Sequence, residues 1–392
     1  MHISDLTAFH VRILLKKRIR HASHTRKSTD TLIVRCRMND GSEGWGEGLP
    51  RPYVTGETIQ TALAQLRTTD LAGQLHGSFD GLRGAVSQCD RLELSRHPES
   101  TRDCFGNAVR SAIEISILDA AARAEGVPLA KVTELIPESI GVRQAVKRVR
   151  YSGAITPMGS IREMYRAYKL RYYGFHQCKV KVGVPGVNDV AALRRIRRVL
   201  GKDVDLRIDV NEAWTCSNVE SKLQPLLRFR ISSVEQPVPH ADVAGLAEVR
   251  SRSTVPIMLD ESLCSLSDAH RAVEQGTCDL FNIRLSKCGG FVNSVRIAAV
   301  AHRAGLGYQL GCQVGETGIL SAAGRNFAAS VSHIRYLEGS YDRFLVREPL
   351  TLEDITFGRG GYAPALDRPG LGVTIDDEAL KRVTIAQEHW SF

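Results

Sequence analysis

The chain has 392 residues, 43% hydrophobic and 24% charged, with a formal net charge of +9. That is ordinary globular composition, long enough for two domains or for one large barrel with a smaller unit attached, and it contains no run of about 18 apolar residues that would span a membrane. The positive charge is spread along the chain, and its one dense cluster, KKRIRHASHTRK at 16–27, lacks the interleaved aromatics of a nucleic-acid stacking surface, so it reads as a solvated basic loop or as a loop that attracts an anionic small molecule rather than as a nucleic-acid site.

The N-terminal stretch MHISDLTAFHVRILLKKRIR has no leader pattern, and nothing in it argues for export. AFHVRILL and DTLIVRCRM read as strands, the second turning at Asn39, Asp40 and Gly41 into EGWGEG as a hairpin. TIQTALAQL and the long FGNAVRSAIEISILDAAARAEG read as helices, with Gly126 as a stop. Residues 1–140 are therefore expected to form an α+β unit.

From 145 the texture changes. Eight short apolar runs alternate with helical stretches: VRYSGAI, QCKVKV, DLRIDV, SSVEQP, PIMLDE, LFNIRL, GYQLGC and IRYLEG. This rhythm predicts a parallel TIM-type α/β barrel over 145–350. A doubly wound sheet is the runner-up, weakened because no GxGxxG follows the first strand. Residues 351–392 break the repeat and are expected to pack back on the first unit. The nine cysteines form no CxxC and read as small buried hydrophobes in a reducing, cytoplasmic setting, without zinc spacing.

The chemistry lies at the ends of the runs. Lys181, Asp209, Glu235, Asp260 and Lys287 fall at intervals of 28, 26, 25 and 27 residues, one per strand-helix unit. Barrel strands bring their C-terminal ends to one mouth, where active sites sit. A lone Asp after a strand is most often a helix cap and a lone Lys is usually solvated; five in register point to a site. Asp209, Glu235 and Asp260 would repel unless a cation joins them, which suits Mg²⁺, or Mn²⁺. Lys181 and Lys287, flanking the ion, are placed for proton transfer, and Lys179, on the same strand face as Lys181, supplies a second cation. A metal-bound carboxylate substrate would then lose its α-proton to give an enediolate.

Lys179-Val-Lys181, Asp209-Val-Asn211, Glu235-Gln-Pro, Asp260-Glu-Ser and Lys287-Cys-Gly-Gly together resemble the enolase superfamily, in its muconate-lactonizing-enzyme subgroup; a Lys or His base beside Mg²⁺ is the known pairing there. The resemblance covers essentially the whole chain, including GWGEG, the TGET loop at 55–58 and PGLGVTID. It implies a (β/α)7β barrel whose N-terminal α+β cap is completed by the C-terminal segment. It implies Asn211, Glu261 and Glu316 around the metal, and capping loops with His21, His24, Arg26, Tyr53 and Thr55 toward the substrate. NIRLSKCGG and TGET look most like dipeptide epimerases, which carry a DxD on the eighth strand; this chain has YLEGSYDRF, with Glu338 the residue left to meet the substrate. The implied activity is racemisation or epimerisation of an amino-acid derivative or dipeptide, with lactonizing cycloisomerisation and o-succinylbenzoate-synthase-like dehydration as alternatives and a non-catalytic binding relative behind them. Relatives form symmetric oligomers, which implies a homo-oligomer.

Overall fold

The computed structural model describes residues 1–20, 25–100, 102–156 and 159–392. Three antiparallel strands begin the chain: β1 (Ile3–Arg20), β2 (Thr25–Met38) and β3 (Glu43–Gly48). In β1, Val11, Ile13 and Leu15 are buried while Arg12 and Leu14 face outward, the period of two that a half-buried strand requires. The helix Asn107–Ala124 is apolar nearly all round and is buried accordingly. It lies directly on β3, because Gly44, Gly46 and Gly48 present no side chain to it. A Cβ on these glycines would overlap backbone atoms of Ala120, Ala112 and Ala108 respectively.

After a short strand, β4 (Arg148–Arg150), come eight parallel strands: β5 (Gly153–Ile155), β6 (Gln177–Lys181), β7 (Asp205–Asp209), β8 (Ile231–Glu235), β9 (Ile257–Leu259), β10 (Leu280–Ile283), β11 (Gly307–Leu310) and β12 (Ile334–Leu337). They pair in sequence order, with helical segments between them. The sheet curls until its edges meet, where the Ser152 amide donates to the Leu337 carbonyl at 2.8 Å. This is the expected TIM-type (β/α)7β architecture. The predicted first run, VRYSGAI, is in fact divided. Successive amides of a strand point opposite ways: Tyr151 N–H bonds to Gly361 O, and Ser152 N–H bonds into the barrel. So β4 pairs antiparallel with β13 (Tyr362–Pro364) outside the barrel, and only β5 joins it. The final strand, β14 (Thr384–Ser391), pairs antiparallel with β1 on the cap sheet.

Buried cap carboxylates join cap and barrel. Glu47 of β3 accepts the N–H groups of Thr317 (3.0 Å) and Leu320 (3.0 Å) and the Thr317 hydroxyl (2.7 Å), at the start of helix Gly318–Ser330. Glu114 accepts the N–H groups of Phe291 (2.6 Å) and Val292 (3.0 Å) at the start of helix Phe291–Arg303. Both meet the unpaired N–H groups and positive dipole end of a helix. All nine cysteines are free thiols, most of them buried. No helix among the described residues is long and apolar enough to cross a membrane.

Gly46→Val places a branched side chain against the Ala112–Ser116 backbone. We expect a stability loss of at least about 2 kcal/mol, within the range for an overpacked core, seen as a lower urea midpoint; an unchanged midpoint would contradict the close approach.

Candidate active site

Lys181, Asp209 and Glu235 are the last residues of β6, β7 and β8, and Asp260 follows β9 by one. Four neighbouring strands thus deliver one ionisable group each to the same end of the barrel. The backbone just beyond is held in the left-handed region at three non-glycine residues: Asn211 (φ 45°), Glu212 (φ 65°) and Gln236 (φ 36°). Such strain collects where a site is held in place by its surroundings. Gln236, fully buried, ties the strand ends together by accepting the N–H groups of Asp260 (2.8 Å) and Ser262 (3.2 Å).

Lys179 and Lys181 share a face as their spacing requires, but their surroundings differ. Lys179 is buried at 6% exposure among three carboxylates: Glu338 Oε1 at 2.8 Å, Glu235 Oε2 at 3.2 Å and Asp209 Oδ2 at 3.4 Å. Burial pulls its ammonium pKa down, and Glu235, Glu338 and Asp209 together more than reverse this, so it stays charged. The Lys181 side chain is 23% exposed and donates to Asn211 Oδ1 at 2.6 Å, with Asp209 Oδ2 3.8 Å away. Burial and the neighbouring Asp209 charge push the Glu235 carboxyl above its usual range, against the pull of Lys179.

The expected substrate contact Glu338 is instead an internal counter-ion. It follows β12 by one residue and is gripped by Lys179 and by the fully buried Arg207 at 2.6 Å. Burial favours its neutral form, but the two cations win and hold its pKa low.

Lys287 also lies elsewhere than expected. It is four residues past β10 and has no exposure. Its ammonium donates to Asp260 O (2.6 Å), Asn282 O (2.8 Å) and Asp260 Oδ1 (2.9 Å), which uses all three N–H donors. The first residue past β10 is Arg284. Its guanidinium bonds to Asp260 Oδ2 and lies 3.6 Å from Glu235 Oε1. Burial opposes its charge, and Asp260, Glu261 and Glu235 outweigh burial. The expected metal triad is therefore adjacent but not gathered. Among the described residues no three Asp, Glu, His or Cys side chains converge as an ion cage, and Lys179 and Arg284 occupy the space between the carboxylates.

Asn211 and Glu261 lie beside the site as expected: the Asn211 amide reaches Glu261 Oε1 at 3.4 Å, and Glu261 is buried with Oε2 unbonded. Glu316, after β11, accepts the Gln313 N–H and lines a small cavity with Glu338 and Leu285. On the cap, Arg26 stacks over Tyr53 at 5.2 Å from the ring centre, both half-buried. Thr55 is buried at 1% exposure. His21 and His24 lie outside the described residues. Sequence reasoning missed Arg284 and Arg207. The first had a signal: 284 follows 260 by 24, as regular an interval as 287 gives, and it stands directly at the strand end.

Residues 3–133 match the mandelate racemase / muconate lactonizing enzyme N-terminal domain, and 160–379 the enolase C-terminal domain-like family. The chain is 32% identical to a hydrophobic dipeptide epimerase of Enterococcus faecalis, over 83% of this chain and 87% of that one. It is 26% identical to an N-succinyl-L-Arg/Lys racemase of Bacillus cereus over 99% of each. Among solved structures, the Enterococcus faecalis dipeptide epimerase complexed with Mg and L-Leu-L-Tyr superposes with a TM-score of 0.82 at 27% identity, covering 95% of this chain and all of that one. The Bacillus cereus racemase shares the fold with a TM-score of 0.87 at 24% identity, covering 100% of both chains. On the family matches and the 32% identity, this chain belongs to the mandelate racemase / muconate lactonizing enzyme family of the enolase superfamily.

Proposed function

We propose that this chain is a metal-dependent isomerase that removes the α-proton of a small carboxylate substrate, with Lys181 as the base. The reaction proposed is racemisation or epimerisation of an amino-acid derivative or dipeptide. One observation carries it: Lys181 is a partly exposed amine, oriented by Asn211, at the edge of buried carboxylates on neighbouring strand ends. The relatives whose names state dipeptide epimerisation and N-succinyl amino-acid racemisation support the substrate class.

The ion proposed is Mg²⁺, or Mn²⁺, held by Asp209, Glu235 and Asp260. These are hard oxygen donors suited to such an ion. Arg284, reaching Asp260 and Glu235 together, stands in for the positive charge that the donors call for. When bound, the ion supplies positive charge to the substrate carboxylate and to the enediolate. The protein supplies the rest. Lys181, in its amine form, takes the α-proton, and Asn211 holds it in line. Lys179 keeps a permanent positive charge beside the carboxylates, and burial of their surroundings strengthens every such interaction. Homo-oligomeric assembly and a cytoplasmic setting belong to the same proposal.

A second reading shares the proton removal at Lys181 but needs no base on the opposite face: muconate-type cycloisomerisation or o-succinylbenzoate-synthase-like dehydration. The presence of Arg284, rather than an amine, after β10 favours it.

In D₂O with Mg²⁺, pooled dipeptides and N-acyl amino acids should lose an α-proton signal by NMR. Lys181→Ala should slow that loss by about 10²–10⁴-fold, the usual contribution of a general base, with unchanged circular dichroism; exchange at the wild-type rate would remove Lys181 from its role. Saturating Mg²⁺ should raise the thermal midpoint, by the equivalent of about 2.7 kcal/mol at a hundred times Kd. Asp209→Asn, Glu235→Gln and Asp260→Asn should each lose most of that rise, whereas a rise kept in all three variants would place the ion elsewhere.

A further inference from the structure

Lys181 ends the second barrel strand, and Arg284 directly follows the sixth. In an eight-stranded sheet that closes in sequence order, these positions are four strand-to-strand steps apart, which is half the circumference. The carboxylates Asp209, Glu235 and Asp260 lie between them, on the third, fourth and fifth strands. A substrate centred on those carboxylates would present one face toward Lys181 and the other toward Arg284.

The two faces differ in kind. Lys181 is a partly exposed amine. Arg284 is a guanidinium with 11% of its side chain exposed, bonded to Asp260 Oδ2. A guanidinium has five N–H donors and no acceptor, and in proteins it keeps its proton. Lys287 is no substitute, because its three donors are fixed on Asp260 and on the Asn282 carbonyl, inside the protein.

We propose that Arg284, and not a lysine, serves the face opposite Lys181, so that the α-proton exchanges readily through the Lys181 face while proton delivery at the Arg284 face is the slow step of the racemisation or epimerisation, and inversion of the α-carbon is slower than exchange. This rests on proton removal by Lys181, as proposed above. The Lys181 amine takes the α-proton, and the C–H electron pair moves into the carboxylate to form the enediolate. Return of the proton from the Lys181 ammonium regenerates the starting isomer. Delivery to the opposite face takes a proton from the Arg284 guanidinium and leaves a neutral guanidine, which must regain its proton from water before the next cycle. Removal of a proton from that face would need the neutral guanidine at the outset. On this reading Arg284 acts mainly as a fixed cation that holds an anionic group of the substrate.

The test follows each stereoisomer separately in D₂O with Mg²⁺, reading α-proton loss by NMR and inversion by chiral chromatography. In the wild type, exchange of one isomer should outrun its inversion by about a hundredfold, the lower end of what a positioned acid or base contributes. Arg284→Lys, which supplies an amine on the second face, should narrow that ratio by at least about tenfold. A separate readout uses no turnover: Lys287→Met should lower the thermal midpoint of the metal-free protein, because it strips donors from buried oxygens, whereas Arg284→Lys should leave that midpoint nearly unchanged. Inversion that keeps pace with exchange in the wild type would overturn the inference while leaving proton removal by Lys181 intact. An Arg284→Lys ratio equal to the wild type, or a Lys287→Met protein of unchanged midpoint that has lost inversion, would also overturn it. Failure of every stereoisomer to exchange would defeat the proton-removal reading itself, and this inference with it.

Discussion

The structure depends on how the barrel mouth keeps several carboxylates out of water. Asp209, Glu235, Asp260 and Glu261 are at most 2% exposed, and Glu338 is largely enclosed beside them. Such a group of like charges is strongly unfavourable in a low-dielectric setting unless cations are buried with it. The chain provides them in place: Lys179 for Glu235, Glu338 and Asp209, Arg207 for Glu338, and Arg284 and Lys287 for Asp260. Most of the positive charge at this end of the barrel therefore balances internal charge. Lys181 differs by its exposure and by its bond to a neutral amide.

Much of this was legible in the sequence because strands and barrels are periodic. A period of two put Lys179 and Lys181 on one face, and a repeat of about 26 residues put Asp209, Glu235 and Asp260 at successive strand ends. The failures come where periodicity stops carrying information. Past the end of β10 the backbone turns, and counting residues no longer tells which of Arg284 and Lys287 points to the mouth; hydrogen bonding to the Asp260 and Asn282 carbonyls decides it. Glu338 looked free as a lone acid after a strand. Its partners, Lys179 and Arg207, are more than a hundred residues away in sequence, and no local pattern joins them. Thr55 lay in a loop that sequence alone reads as exposed, whereas it is buried beside Glu57, whose carboxylate accepts the Ala108 N–H at the start of helix Asn107–Ala124. VRYSGAI had the composition of one strand and serves two sheets.

Cap and barrel meet through the same chemistry in a different form. Here buried carboxylates are balanced by helix N-termini rather than by side-chain cations, as at Glu47 over Gly318–Ser330 and Glu114 over Phe291–Arg303. The second joint needs Gly290, where a Cβ would strike the Glu114 carboxylate. Arg51 adds the converse arrangement: a buried guanidinium of the cap donates to the Thr29 hydroxyl and to the carbonyls of Asp30 and of Val314, beyond the seventh barrel strand. Each joint is directional, so the cap is held in one orientation over the mouth.

Arg207 has a further consequence. It lies on β7, yet its guanidinium reaches across the lumen to the Ser152 hydroxyl on one side of the barrel seam and to Glu338 on the other. Ser152 itself spans that seam to Leu337 through both its amide and its hydroxyl. Glu338 thus serves two structures at once: it neutralises Lys179 within the site, and it is the far anchor of a strut that keeps the first and last barrel strands together. In this protein the cylinder is riveted shut by the ions of its own reaction chamber, so a change in the charge balance of the chamber is also a change in how tightly the barrel is closed.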